Sequence, residues 1–445
     1  MKLVIIGGAG FRVPQVVGAV ATAGPVDTVA LVDTDAGRLR TMRAVLEQLP
    51  LGGDLLLSTH TDLAEALVGA DFVFCAIRVG GTAGRVADER VALDLGVLGQ
   101  ETTGPGGLAY ALRTIPAMRA IARTVRRVAP QAWFVNFTNP AGIITEALRP
   151  VLGERVVGIC DTPIGLMRRA AAAVGASGDS PDVRYDYVGL NHLGWLRTLE
   201  VDGVDRLPDL LSSPDRLERI EEARLIGPDW VRQLGALPNE YLFYYYCNRE
   251  AVARILAAPG TRGEFLAAQQ DRFYAEAAGR PGDALELWRE TRRQREETYM
   301  AEARAEDEQR DAEDTDGGYQ AVALALMTAL SGGEPTAAIV NVAGRGAVPG
   351  LPDDAVVEVP CDVDADGIHP RPVAPLAGPE LGLVQSVKAV EQLTIRAATE
   401  HSEGLAWEAF ATHPLVGSVS LGRRLLDGYR ARIPEVAAAL SGDAG

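Results

Sequence analysis

The apolar run Lys2-Leu3-Val4-Ile5-Ile6, followed at once by Gly7-Gly8-Ala9-Gly10, constrains this chain more than any other segment. A short run without polar alternation suits a strand buried on both faces, and such strands belong to parallel sheets covered by helices. Pro14 and a helical pattern follow, giving strand, glycine turn and helix. The unit then recurs. Val29–Val32 ends at Asp33, and helical periodicity runs from Ala36 to Gln48. Leu55–Leu57 is expected as a third strand and Asp71–Ala76 as a fourth. A long helix from Leu108 to Val128 precedes a fifth at Trp133–Asn136, and Val156–Ile159 is the sixth. Strands alternating with helices predict an α/β fold, with a doubly wound parallel (Rossmann-like) sheet over residues 1–172.

The pattern changes after residue 172. Strands are expected within Tyr185–Glu200, with a turn at Asp202-Gly203, and at Ala337–Val342 and Ala355–Val359. Leu217–Leu225, Glu264–Arg310, Ala321–Leu330 and Gly382–Leu425 read as mostly helical. Residues 173–445 are therefore expected to form one α+β domain that carries the substrate site and the contacts for oligomerisation. The acid-rich stretch Glu302–Asp316 reads as a solvated helix end and loop, or alternatively as a flap near the site.

A chain of 445 residues is long enough for two domains. Its net charge of −17 disfavours nucleic acid and anionic membranes as partners. An anionic small molecule stays possible where arginines cluster locally. The N-terminal run reads as a buried strand and not as a signal peptide, and no stretch reaches the roughly 18 apolar residues of a membrane span. Cys75, Cys160, Cys247 and Cys361 form no C-x-x-C pair, which points to a reduced, cytoplasmic setting.

Gly8-x-Gly10-x-x-Val13 lies between a strand and a helix, where glycines let a pyrophosphate approach the helix N-terminus. Val13 replaces the usual third glycine. Asp33, about twenty residues on, suits ribose hydroxyls and repels a 2′-phosphate, so NAD is expected rather than NADP. Phe11, Arg12 and Arg38 are the adjoining cofactor candidates. An ordinary strand–helix turn with a capping Asp is the structural alternative.

Cys160-Asp161 follows the sixth strand, and Asn191-His192 lies roughly thirty residues later. Singly, these residues suit an inert core cysteine, a helix N-cap and a hydrogen-bonded histidine. Together at the carboxyl edge of a cofactor-binding sheet, thiolate and imidazole can hold a divalent metal and Asp161 can present a proton.

These segments occur in order with Gly99-Gln100-Glu101-Thr102-Thr103-Gly104-Pro105-Gly106-Gly107, Asn136-Phe137-Thr138-Asn139-Pro140 and Pro238-Asn239-Glu240-Tyr241-Leu242. Over nearly its whole length the chain resembles glycoside hydrolase family 4, and within it the 6-phospho-β-glucosidases. The resemblance implies a lactate/malate dehydrogenase-like fold and an NAD-dependent exception to two-carboxylate glycoside hydrolysis. It implies oxidation of the sugar at C3, loss of the C2 proton, elimination at C1, addition of water and re-reduction, assisted by Mn²⁺ or another divalent ion. Cys160 and His192 would be metal ligands, Asp161 the acid and Tyr241 the base, with Tyr244 as the competing base. Asn139 and Asn191 would bind the sugar, and Arg78, Arg85 and Arg262 its phosphate. Asp at position 161 is familiar in α-specific relatives, so the anomeric preference stays open. Asp316 stands where relatives often carry a basic residue. A homodimer or homotetramer is expected.

Two other readings compete. A dehydrogenase of the malate/lactate type would need a His-Asp relay and a substrate arginine, which five histidines and the Cys160/His192 pair disfavour. A non-catalytic NAD- or sugar-binding regulator would keep the dinucleotide turn without the metal.

Overall fold

The computed structural model describes residues 1–52, 55–178, 180, 182–304 and 318–441. Its first six strands are β1 Lys2–Ile6, β2 Thr28–Val32, β3 Leu56–His60, β4 Phe72–Cys75, β5 Trp133–Asn136 and β6 Val156–Gly158. They pair in parallel in the order β6-β5-β4-β1-β2-β3. The Rossmann-like sheet is thus present, and most of its strands lie within one or two residues of the expected bounds. The third starts one residue late and extends to His60, because its half-exposed edge position lacks the continuous apolar signal of the central strands.

Burial on both faces explains the patternless strands. Leu3 and Ile5 join one core with Val16, Val17, Leu39 and Met42, from the helices Val13–Thr22 and Ala36–Glu47. Val4 and Ile6 point the other way, into a second core with Ile115, Ile144, Leu148 and Phe410. Truncating Ile5 to Ala would cost about 2–5 kcal/mol, the usual range for such a cavity.

The second half does not build a separate sheet. Its strands are β7 Val183–Leu190, β8 Leu193–Val201, β9 Val204–Asp205, β10 Leu237–Pro238, β11 Thr336–Ala343, β12 Val356–Asp364 and β13 Gly367–Pro370. β11 joins β6 antiparallel through Asn341 and Gly158, and β12 joins β7 through Glu358 and Gly189. The described residues therefore share a 13-stranded sheet that runs across the 172/173 boundary. That boundary lies at the end of the helix Thr162–Ala173.

Two differences from the sequence reading have local causes. The stretch expected as one helical run from Glu264 is split into Arg262–Gly279 and Ala284–Glu297, with Pro281 and Gly282 between; proline cannot continue the backbone ladder. The expected turn at Asp202-Gly203 links β8 to β9, while a second two-residue turn, at Asn191-His192, joins β7 to β8. Of the stretch Glu302–Asp316, residues 305–317, Asp316 included, lie outside the described residues. Among the described residues no helix is long and apolar enough to cross a membrane, and the four cysteines are unpaired.

Candidate active site

The carboxyl ends of β1, β4, β5 and β6 open onto a cleft of about 860 Å³, closed from the other side by the helices after residue 240. The glycine turn forms one wall. Gly7, at φ +85°, could carry no side chain, because a Cβ would lie 2.5 Å from the Ala76 carbonyl oxygen. Gly7 and Gly8 both donate to the Val32 carbonyl, at 2.9 and 2.8 Å. A Cβ on Gly10 would meet Gly7 O at 2.8 Å. The close approach thus begins one residue before the pair singled out from the sequence, and positive φ at Gly7 marks it. Val13 is buried at the start of its helix, where it serves the core.

The second half grips this turn. Trp288 Nε1 donates to Phe11 O at 2.9 Å, and Tyr274 OH donates to Ala9 O. Phe11 and Arg12 line the cleft, Arg12 over the rings of Phe137 and Tyr319 and 3.6 Å from Asp161. Asp33 lies beyond the lining at the end of β2, accepting from Ala9 N and Asp35 N. Arg38 is further out, over Tyr274 and near Asp35 and Asp271.

Cys160 and His192 are brought together from strands distant in sequence. Cys160 Sγ lies 3.6 Å from His192 Nε2. His192 takes a left-handed backbone, φ 65°, at the tip of the β7–β8 turn, a conformation histidine tolerates better than most residues. Burial lowers its imidazole to about 4, so the ring is neutral. Its Nδ1 is buried without a hydrogen-bond partner among the described residues. Burial, with the Asp161 carboxylate adding to it, pushes the Cys160 thiol well above its usual range.

The pair fits a divalent cation. Donor–metal distances of about 2.0–2.3 Å place two adjacent ligands roughly 3–3.6 Å apart. No group of three or more His, Cys, Asp or Glu converges among the described residues. Two protein ligands would therefore leave positions for a sugar's oxygens.

Tyr241 lies against this pair, its ring stacked on His192 at a centroid distance of 3.6 Å. Its position follows from a short 3₁₀ turn, Glu240–Leu242, capped by Asn239 Oδ1 on Tyr241 N at 2.9 Å. Tyr241 OH is 2.9 Å from Tyr299 OH, which donates to Glu240 Oε1 at 2.8 Å. Burial, reinforced by Glu240, raises the Tyr241 phenol well above 10. Tyr244 also lines the cleft, but its OH donates to Glu302 at 2.6 Å.

The arginines differ in their partners. Arg78 and Arg85 share the buried carboxylate of Glu101, at 2.5 and 2.6 Å, and Arg85 also meets Glu89 at 3.0 Å. Arg262 donates to Thr298 and to the Arg295 carbonyl, with no carboxylate partner among the described residues. Burial and neighbouring Arg85 lower it to about 10. Arg295, over the Phe11 ring at 3.8 Å, is lowered by burial to about 9. Asn139 lines the cleft. Asn191 does not. Its Oδ1 accepts from Ala141 N at 3.1 Å and its Nδ2 donates to Glu358 at 3.2 Å, so its amide holds the turn. Sequence reasoning passed over Glu101, Glu240, Arg295, Tyr299 and Glu358. The first two sit inside motifs it had quoted, and Glu358 interrupts the apolar run Val356-Val357-Glu358-Val359.

The cleft thus brings the glycine turn, the Cys–His pair and Tyr241 together. Residues 2–176 match the family 4 glycosyl hydrolase model, and residues 187–416 match the model of that family's C-terminal domain. The chain belongs to glycosyl hydrolase family 4. It is similar to a probable 6-phospho-beta-glucosidase of Bacillus subtilis (strain 168), 31% identical over 458 residues, covering 98% of each chain. It is also similar to 6-phospho-alpha-glucosidase 1 of Lacticaseibacillus paracasei, 31% identical over 383 residues, covering 82% of this chain and 81% of the relative. Among solved structures, the Thermotoga maritima 6-phospho-beta glucosidase with manganese, NAD⁺ and glucose-6-phosphate superposes with a TM-score of 0.80 at 28% identity. The match covers 98% of this chain and 99% of that one. Relatives named for either anomeric specificity are thus 31% identical over the parts they match.

Proposed function

We propose that this family 4 chain is an NAD⁺- and Mn²⁺-dependent 6-phospho-β-glucosidase. The observation that carries the reading is the convergence of Cys160 Sγ, His192 Nε2 and the Tyr241 ring beside the glycine turn. When bound, NAD⁺ would supply the hydride acceptor, and a divalent cation the positive charge that polarises sugar oxygens and lowers the Tyr241 phenol.

The chain's own residues do the rest. Cys160 Sγ and His192 Nε2 hold the cation. Gly8, Gly10, Phe11 and Arg12 seat the dinucleotide, with Asp33 toward a ribose and Arg38 at its outer edge. Tyr241 takes the proton from C2 of the sugar, and Tyr299, 2.9 Å away, fixes its hydroxyl. Asp161 gives a proton to the departing glycosidic oxygen. Asn139 binds a sugar hydroxyl. Arg262, Arg85 and Arg78 face the phosphate, two of whose oxygens can accept from one planar guanidinium fork.

The β-reading is supported by the Bacillus and Thermotoga relatives, while the Asp161 carboxylate favours an α-anomer. The test is a panel of α- and β-nitrophenyl glucosides, with and without 6-phosphate, assayed with NAD⁺, Mn²⁺ and reductant. The β-6-phosphate should be cleaved best, NADH should not accumulate, and product formed in heavy water should carry deuterium at C2. Cleavage by NAD-free enzyme without exchange would refute the mechanism. Preference for the α-6-phosphate would refute only the anomeric assignment.

A further inference from the structure

Glu358 is a fully buried carboxylate that the proposed reaction does not use. No Lys, Arg or His lies within ion-pair distance of it among the described residues. It stands in a row of cross-strand partners: Gly158 on β6, Asn341 on β11, Glu358 on β12 and Gly189 on β7. Cys160 lies just beyond Gly158, and His192 just beyond Gly189. Both candidate ligands therefore leave the sheet at the two ends of the row that Glu358 occupies. The row is closely packed at Gly158. A Cβ on Gly158 would lie 2.3 Å from Thr145 Oγ1 and 2.9 Å from Asn341 Cβ.

Hydrogen bonds tie this carboxylate to both halves of the chemistry. Oε1 accepts from Asn341 Nδ2 at 2.9 Å and from Asn191 Nδ2 at 3.2 Å, and Asn191 precedes His192. Oε2 accepts from Tyr187 OH at 3.1 Å. Tyr187 OH in turn accepts from Asn239 Nδ2 at 3.3 Å, and Asn239 Oδ1 holds the backbone N–H of Tyr241. The carboxylate is near enough to Cys160 that its charge helps raise the thiol. Burial pushes the Glu358 carboxyl up to about 7, because a buried charge is costly unless a countercharge offsets it, and the Cys160/His192 pair is where a cation would sit.

We propose that Glu358 is the buried countercharge and positioning residue of the Cys160/His192 site, strengthening its hold on a divalent cation without touching it. The inference rests on the proposed cation site. Outer partners of this kind are worth roughly 10–100-fold in metal affinity.

The experiment measures Mn²⁺ affinity of the full chain at saturating NAD⁺, by the electron spin resonance of free Mn²⁺, together with NAD⁺ affinity. Glu358→Gln should bind Mn²⁺ roughly 10–100-fold more weakly while its NAD⁺ affinity stays unchanged. Glu358→Asp, which keeps the charge, should stay within about threefold of the parent. Parental Mn²⁺ affinity in Glu358→Gln, or an equal loss in both variants, overturns the proposal. Should the Gln protein not fold, Glu358→Asp decides alone, and a loss of about tenfold or more overturns it. A parent protein that binds no Mn²⁺ would instead refute the cation site itself.

Discussion

The phenol ring of Tyr241 lies flat on the imidazole of His192, centroids 3.6 Å apart and planes within 3°. The stack fixes where the Tyr241 hydroxyl points, independently of that hydroxyl's own bond to Tyr299. A single oxygen can therefore be removed without moving the ring. Tyr241→Phe should keep the stack, the fold and NAD⁺ binding, and lower turnover by about 10² or more, the usual scale for losing a general base. Tyr244→Phe should cost far less, because its hydroxyl is already committed to Glu302. Steady-state kinetics of the two variants separate the candidates, and the reverse ranking would assign the base to Tyr244.

Removal of the thiol gives the second prediction. Cys160→Ser replaces a soft, polarisable donor with a weaker one, and the loss of Mn²⁺ affinity should exceed the roughly 10–100-fold typical of outer partners. In the parent protein a chelator should abolish activity and added Mn²⁺ restore it. Thiol oxidants should inactivate the enzyme more slowly when Mn²⁺ is bound. Metal analysis of the purified variant provides the check: full Mn²⁺ content with full activity would remove Cys160 from the site.

Away from the cleft, His413 makes stability depend on pH. It is buried, its Nδ1 accepts from Leu415 N at 3.1 Å, and burial lowers it from 6.5 to about 4. The folded state holds this ring neutral while the unfolded chain protonates it below pH 6.5, so stability falls as pH drops from 6.5 toward 4. Between pH 7.5 and 5.0 the ring should account for about 2 kcal/mol of lost stability. His413→Gln should flatten that dependence by a similar amount in urea unfolding at the two pH values. An unchanged slope would mean that the ring is protonated in the fold.

What could be read from the chain follows from how locally each feature is encoded. β1, β2, β4, β5 and β6 carry their burial in consecutive residues, so runs such as Leu3–Ile6 announce them. The family resemblance rested on motifs of a few adjacent residues, and the comparisons bear it out. The joining of β11 and β12 to the first sheet was not legible, since it depends on pairings such as Asn341 with Gly158 across some 180 positions. The same holds for Glu358, whose partners Tyr187 and Asn191 lie 171 and 167 positions away. Its only local trace is one acid in an apolar strand. Asn191 sat in a legible motif, yet its amide turns to Ala141 and Glu358, a direction that no motif encodes.

The arginines give the last prediction, and their partners rank them. Arg78 faces a carboxylate already 2.5 Å away on Glu101, so a phosphate must compete for it. Arg262 has no carboxylate partner among the described residues, and burial beside other arginines already disfavours its charge. An incoming dianion would relieve that repulsion and accept from the guanidinium. Two charge-assisted hydrogen bonds, each worth about 1.5–3 kcal/mol, correspond to a preference on the order of 10²–10⁴ for the 6-phosphate. Arg262→Ala should therefore erase most of the difference in kcat/KM between phosphorylated and plain glucosides. Arg78→Ala should do so in part, and Arg85→Ala least, because Glu101 and Glu89 both take up its charge. Glu101→Gln should partly restore phosphate recognition to weakened variants by freeing both of its arginines. Equal kcat/KM for the two substrate classes in the parent enzyme, unaffected by Arg262→Ala, would remove the phosphate from the reading and leave a family 4 enzyme acting on plain glucosides.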